Sequence, residues 1–358
     1  MPELALLTYS TKPRGGVVHT LALAEALAEQ GAAVTVWSLG RGGDQQFFRP
    51  VDPRVRTRVV PLPEIDGEDF GARVARSVEV LGAALAADPA RYDVVHAQDC
   101  ISANAAHAAG RPCVRTVHHI DHFTTPELVA CHERAIREPY AHVCVSRAVA
   151  AELQAGWGLA TTVIPNGVDA ARFAAAARPP DPDRYVVTVG GIEPRKGSLE
   201  LLEAWTGMRT PVRLVIAGGD TVFDHRPYRA AFLARATELG VTPEVLGPVP
   251  EAELPALVAG ASAFAFPSTK EGFGMAALEA LAADVPVVMA DLPVLRETFD
   301  GTVAFADGPA ALADALDAAV SAPDPARQAA GRALARRYTW QAAAAAHLEL
   351  YRGLRARR

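Results

Sequence analysis

Short apolar runs alternate with helical patterns along the whole chain, and after a proline-rich break the alternation starts again. In the first half the strand-like runs are 4–9, 34–38, 55–61, 93–97, 113–118 and 142–146, with helical patterns such as 19–30 and 70–87 between most of them. The second set runs 185–190, 212–217, 244–247, 263–266, 286–290 and 302–305. Strands that alternate with helices pair in parallel, with helices covering both faces of the sheet. Two such sets predict an α/β chain of two facing, doubly wound, Rossmann-like domains with a cleft between them. Ligands of such sheets bind outside the carboxyl ends of the strands.

The break is "AAAARPPDPDR", residues 174–184, which has no apolar period and reads as a linker. It separates a domain over 1–173 from one over 185–335. A helix over 341–354 lies in the tail 336–358, and nothing local says which domain it packs on. The chain has 358 residues, about the length of two domains. Its formal charge of −6 gives no basic excess for nucleic acid or an anionic membrane surface, so an anionic ligand has to be met by local groups. The helix over 70–87 carries Arg73 and Arg76 as its cations and Glu79 on its other face, a poor interfacial helix. The start lacks a basic stretch before its apolar run and breaks at Pro13, unlike a signal peptide, and no apolar run reaches 18 residues. These features predict a cytoplasmic protein with no integral membrane segment. Cys100, Cys113, Cys131 and Cys144 have no CxxC spacing and read as reduced, buried thiols.

Three stretches carry chemistry. After the first strand, Gly15-Gly16 opens a helix, where free backbone N–H groups favour an anion. After the 185–190 strand, Arg195-Lys196-Gly197 leads into a helix that Ser198 can cap; a point charge and a forked donor side by side suit a diphosphate. The third is "TKEGFGMAALEALAADVPVV", in which Glu271 and Glu279 lie eight positions apart around Gly272-Phe273-Gly274. A helix is predicted over 273–283, and Glu279 falls within its apolar neighbours. An ionised carboxylate presents two acceptors, which match the two donors of a vicinal diol. Glu279 then holds a ribose and Glu271 a hexose.

These residues resemble the signature of retaining GT-B glycosyltransferases, the family 4 type. "TVHH" at 116–119, "VSRAVAAEL" at 145–153, "IPNGVD" at 164–169, "EPRKGSLELLEA", "LGPVPEAELPALVAGASAFAFPS" and "VPVVMADLPVLRE" follow in that family's order over nearly the whole chain. The resemblance implies a UDP- or GDP-sugar donor on the C-terminal domain and an acceptor, small or glycan- or lipid-linked, on the N-terminal side. It implies Lys196 on the donor diphosphate with Arg195 assisting, Glu279 on the ribose and Glu271 near the donor hexose. Gly272, Phe273, Gly274 and Met275 supply backbone contacts, His118 touches the transferred sugar, and Gly15-Gly16 lines the diphosphate. The family often has Arg directly after the strand glycine, where this chain has Gly191.

The reaction expected is metal-independent transfer of a hexose to a hydroxyl with retention. The one Asp-x-Asp sequence, Asp181-Pro182-Asp183, lies inside the proline-rich break, and Lys196, Arg195 and helix N-termini would meet the charge that builds on the leaving diphosphate. No cofactor and no nucleic acid is expected. Rival readings are a glycoside hydrolase using Glu271 and Glu279, a GT-B epimerase or phosphorylase, and a nucleotide-sugar-binding protein without turnover. His118, His119, Asp121 and His122 offer metal-ligand types, but the strand before them and Pro126 after them favour loop histidines. His96, Gln98 and Asp99 at a strand's end are acceptor-side candidates, with Asp99 alternatively a helix cap.

Overall fold

The computed structural model describes residues 2–121, 123, 125–178, 184–219 and 225–356. It divides into two compact units, Met1–Gly167 with Trp340–Arg358, and Val168–Thr339.

The first unit holds seven parallel strands: β1 (Glu3–Leu7), β2 (Ala33–Arg41), β3 (Arg56–Leu62), β4 (Val94–Ala97), β5 (Cys113–Val117), β6 (Ala141–Cys144) and β7 (Thr162–Val163). Their order is β3-β2-β1-β4-β5-β6-β7, which reverses between β1 and β4 as a doubly wound sheet does. Both faces are covered, which is why the strands read as continuous apolar runs. Leu4 and Leu6 pack under helices Gly15–Glu29 and Trp340–Arg355. Ala5 and Leu7 enter a second core with Val74 and Leu81 of helix Phe70–Ala87 and Ala103 of helix Cys100–Ala108. β7 escaped the sequence because two residues show no period.

The second unit repeats the plan with β8 (Tyr185–Val189), β9 (Arg213–Ala217), β10 (Glu244–Gly247), β11 (Ala263–Phe266), β12 (Val287–Ala290) and β13 (Ala304–Ala306), in the order β10-β9-β8-β11-β12-β13. Val186, Leu214, Ala263 and Val288 meet Leu201, Phe232 and Leu316 in its core.

The division differs from the expected linker at 174–184. Asp169 caps helix Ala170–Ala174 through the Arg172 N–H, Phe173 is buried, and Arg172 bonds the Glu251 carboxylate and carbonyl. These contacts tie 168–174 to the second unit; residues 179–183 of the expected linker lie outside the described residues. The tail also divides: helix Pro325–Arg337 stays with the second unit, and helix Trp340–Arg355 belongs to the first. There Ala343, Ala344 and Tyr351 are buried, and the Tyr351 hydroxyl meets His96 Nδ1 at 2.6 Å. Among the described residues no helix is long and apolar enough to cross a membrane.

Candidate active site

In the second unit, two loops at the carboxyl ends of β8 and β11 are stitched together. Pro194–Lys196 forms a 3-10 turn, and Gly197 then takes φ +63° against the backbone after β11. A Cβ at Gly197 would stand 2.0 Å from the Pro267 carbonyl oxygen, so only glycine fits there. The Thr269 N–H donates to the Arg195 carbonyl at 2.9 Å. Gly197, not Ser198, is the N-cap of helix Ser198–Gly207; Ser198 is its buried first residue, so the cap expected from sequence is displaced by one position.

This crossing brings Glu271 onto the two cations. Its Oε1 accepts from Lys196 Nζ at 2.6 Å, Ser268 Oγ at 2.9 Å and Arg195 Nη1 at 3.2 Å. Burial pushes the carboxyl up, but Lys196, Arg195 and these hydrogen bonds outweigh it and hold Glu271 at about 2. Arg195 also donates to the buried Glu193 at 3.0 Å. The Lys196 ammonium stands 5.2 Å from the centre of the Phe266 ring. Neither Ser268 nor Glu193 was singled out from sequence: one is a common turn residue, the other one acid among many.

The helix expected over 273–283 is Met275–Ala282, shorter at both ends, with Gly274 as its cap at φ +100°. Phe273 is buried with its ring edge-on to Tyr338 at 5.4 Å. The first N–H groups of this helix have no intrahelical acceptor and suit an anion or a hydroxyl. Glu279 is half-buried among Ala277, Leu278, Ala280 and Leu281, and its side chain makes no hydrogen bond or ion pair among the described residues. Burial lifts its carboxyl to about 8; Glu251 and Asp169 add to the rise, and Arg172 opposes it. Arg172 is already bonded to Glu251. No sequence signal linked Glu279 to Arg172, which lies more than a hundred positions earlier.

In the first unit, Gly15 and Gly16 are the first two residues of helix Gly15–Glu29, and His118 follows β5 directly. The His118 ring meets His19 edge-on at 4.7 Å, and a Cβ on Gly16 would lie 3.9 Å from its Nε2. His19 is fixed by its Nδ1, which donates to Asn166 Oδ1 at 2.9 Å. Burial, with the charge of His119 and Arg115, lowers His118 to about 3, so it is a neutral imidazole throughout the physiological range. His19 was missed, since one histidine in an apolar helix gives no signal.

Asp99 settles as a cap: its carboxylate accepts from the Ser102 N–H at 2.8 Å and the Tyr9 N–H at 3.0 Å. Burial lifts it to about 6 against those bonds. His96 is a core histidine between Tyr351 and Thr116. Gln98 is buried, and both its amide atoms lack a protein partner among the described residues. His119 Nε2 meets Asp121 at 3.1 Å, while His122 lies outside the described residues. Among the described residues no group of three or more His, Cys, Asp or Glu is placed to hold a metal ion, and the four cysteines are free thiols.

Known proteins share both halves. The family profile for glycosyltransferase family 4 matches residues 13–172, and that for glycosyl transferases group 1 matches residues 170–336. A D-inositol 3-phosphate glycosyltransferase of Xylanimonas cellulosilytica is 30% identical over 404 residues, covering 98% of this chain and 96% of its own. Among solved structures, a sucrose-phosphate synthase from Thermosynechococcus elongatus superposes with a TM-score of 0.84 at 21% identity, over 100% of both chains. Anabaena Alr3699/HepE in complex with UDP-glucose gives 0.75 at 21% identity, over 98% of this chain and 100% of that one.

Proposed function

The chain belongs to glycosyltransferase family 4, with the GT-B fold and a glycosyltransferase's activity, and we propose that it moves a hexose from a nucleotide diphosphate sugar to a hydroxyl, with retention and without a metal ion. The observation that carries this reading is the convergence of Lys196, Arg195 and Ser268 on one oxygen of Glu271, at the carboxyl ends of β8 and β11. Two cations converging on Glu271, four positions before the first residue of helix Met275–Ala282, suit a diphosphate, and their partly buried setting strengthens the attraction. On that reading the diphosphate takes over the cations and leaves the Glu271 carboxylate to accept from the hexose hydroxyls. Gly272, Phe273, Gly274 and Met275 offer backbone donors, and Glu279 takes the ribose diol. His118, Gly15 and Gly16 are assigned to the reaction on the resemblance of their motifs.

As the nucleoside diphosphate leaves, charge grows on its bridging oxygen. On this reading Lys196 and Arg195, once turned from Glu271 to the bound diphosphate, stabilise that charge without further reorganisation at that moment. The neighbour solved with UDP-glucose makes that compound the first donor to try. Titration calorimetry with UDP, GDP and ADP in chelator tests the donor site: one nucleotide is expected to bind, and Lys196→Ala to weaken it about tenfold or more, the scale of a charge-assisted contact. Binding of no nucleotide, or equal binding by Lys196→Ala, overturns the assignment. Proton NMR of the product anomer tests retention.

A further inference from the structure

His118 is seated by segments of the first unit that lie far apart in the chain. His19, early in helix Gly15–Glu29, lies edge-on to the His118 ring at 4.7 Å and to the Trp340 ring at 5.3 Å. Asn166, 147 positions further on, bonds His19 Nδ1 at 2.9 Å, and both side chains are buried. The amide oxygen only accepts, so the His19 proton sits on Nδ1 and its Nε2 is bare. Burial first, then the charges of His118, His347 and His96, keep His19 well below the usual imidazole value, so the ring is neutral. That bare Nε2 is buried and has no partner among the described residues.

Leaving a buried nitrogen unpaired costs free energy. The other buried positions of this helix are mostly Val, Leu and Ala, which fill space without that cost. What a histidine adds at position 19 is a ring locked at one angle by Asn166. His118 needs such a neighbour. It is half-buried and makes no hydrogen bond among the described residues, so packing alone sets its orientation, and the ring it packs on is His19. Its two nitrogens differ. Nε2 is buried and unpartnered, in a place where a Cβ on Gly16 would stand 3.9 Å from it. Nδ1 is the nitrogen left to reach solvent.

We propose that His19, locked by Asn166, is the positioning residue for His118, and that His118 meets its ligand through Nδ1. This rests on the reading that gives His118 the transferred sugar. A ring free to swing aims its nitrogen off the hydroxyl, and a misplacement of about 1 Å costs up to roughly a hundredfold in rate.

The test reads nucleotide released from UDP-glucose, or from the sugar ester of whichever nucleotide binds, with water as the acceptor. Asn166→Ala and His19→Leu are each expected to lower kcat about tenfold, the scale of one lost hydrogen bond, while KM for the donor stays within about twofold. In a His118→Ala background the same changes should lower kcat less than about twofold, because their effect runs through a ring that is gone. A merely structural role predicts the same loss in both backgrounds. His118→Asn, whose amide nitrogen falls near the place of Nδ1, should turn over about tenfold faster than His118→Gln, which reaches toward the place of Nε2. Equal losses in both backgrounds, or a faster His118→Gln, overturn the proposal. Wild-type turnover by His118→Ala takes His118 out of the reaction and the proposal with it. Side-chain 1H–15N NMR of the nucleotide-free protein is the second arm. His19 should carry its proton on Nδ1, and Asn166→Ala should move the His118 ring signals; His118 signals that stay in place overturn the positioning. A wild type that releases no nucleotide, while those signals move, strikes down the donor reading and leaves the positioning standing.

Discussion

Replacing Glu271 by Gln removes the carboxylate on which Lys196, Arg195 and Ser268 converge, and leaves the two cations facing a neutral amide. The size of the effect follows from titration. The ordinary value of 4.5 falls to about 2, a shift of about 2.5 units, which at ~1.36 kcal/mol per unit is about 3 kcal/mol. The side chain is only 10% exposed, so solvent screening takes little of this. The sign is that of a depressed acid. The stabilisation is complete above pH 4.5 and is lost as pH falls through the folded value near 2. Linkage with these two values leaves about 1.4 kcal/mol at pH 3. The assay is urea unfolding followed by 19F NMR of 5-fluorotryptophan-labelled protein, which resolves Trp205 of the second unit from Trp37, Trp157 and Trp340. Wild type should exceed Glu271→Gln by about 3 kcal/mol at pH 7, and the gap should narrow by more than half at pH 3. A gap that stays constant over that range would refute the ion-pair account and point to packing instead.

Glu279 titrates the other way. Its carboxyl is raised from 4.5 to about 8, so the fold loses stability as pH rises between those values, and Glu279→Gln should remove that slope in unfolding measured from pH 5 to 8.5. A ribose diol on the carboxylate favours its charged form, so nucleotide binding near pH 7 should release a proton, read as a dependence of the calorimetric enthalpy on buffer ionisation; proton uptake would contradict the assignment. Gly197→Ala forces a Cβ to within 2.0 Å of the Pro267 carbonyl oxygen at positive φ, and should destabilise the second unit by about 2–4 kcal/mol in the same unfolding assay. An unchanged midpoint would mean that the two loops do not cross as described.

How much of this was legible depended on sequence separation. β10 and β11 were read to the residue because turns bound their apolar runs on both sides. β1 was read one residue late at its start and two residues past its end, because the pattern continues past Leu7 as the ladder ends and the polar loop begins. Lys196 and Glu271 were picked out singly, each from a glycine turn at a strand's end. Their 2.6 Å contact spans 75 positions, and only the parallel pairing of β8 with β11 brings them together. The environment of Glu279 was equally hidden. Its apolar neighbours announced burial, but Asp169, Arg172 and Glu251 come from segments with no local link to it. The same holds for the boundary: proline marks where chain cannot be regular, whereas the division falls where contacts change partners.

Glu271 near 2 and Glu279 near 8 are two carboxyls on one turn and helix whose environments drive them apart. Such a split is also what a glycoside hydrolase needs for its nucleophile and its acid. The cause of the split decides against that use. Glu271 is low because two cations and a hydroxyl share one of its oxygens, which makes it a poor nucleophile; nothing in glycoside hydrolysis calls for cations there. A departing diphosphate does. The cations are not equivalent either. Arg195 is matched by both Glu193 and Glu271, at 3.0 and 3.2 Å, so a ligand must compete with two acids for it. Among the described residues Lys196 pairs with Glu271 alone, and its ammonium rests on an aromatic face that offers no negative charge to displace. On the proposed reading, with Gly191 where the family often has Arg, the leaving group's charge falls chiefly to Lys196.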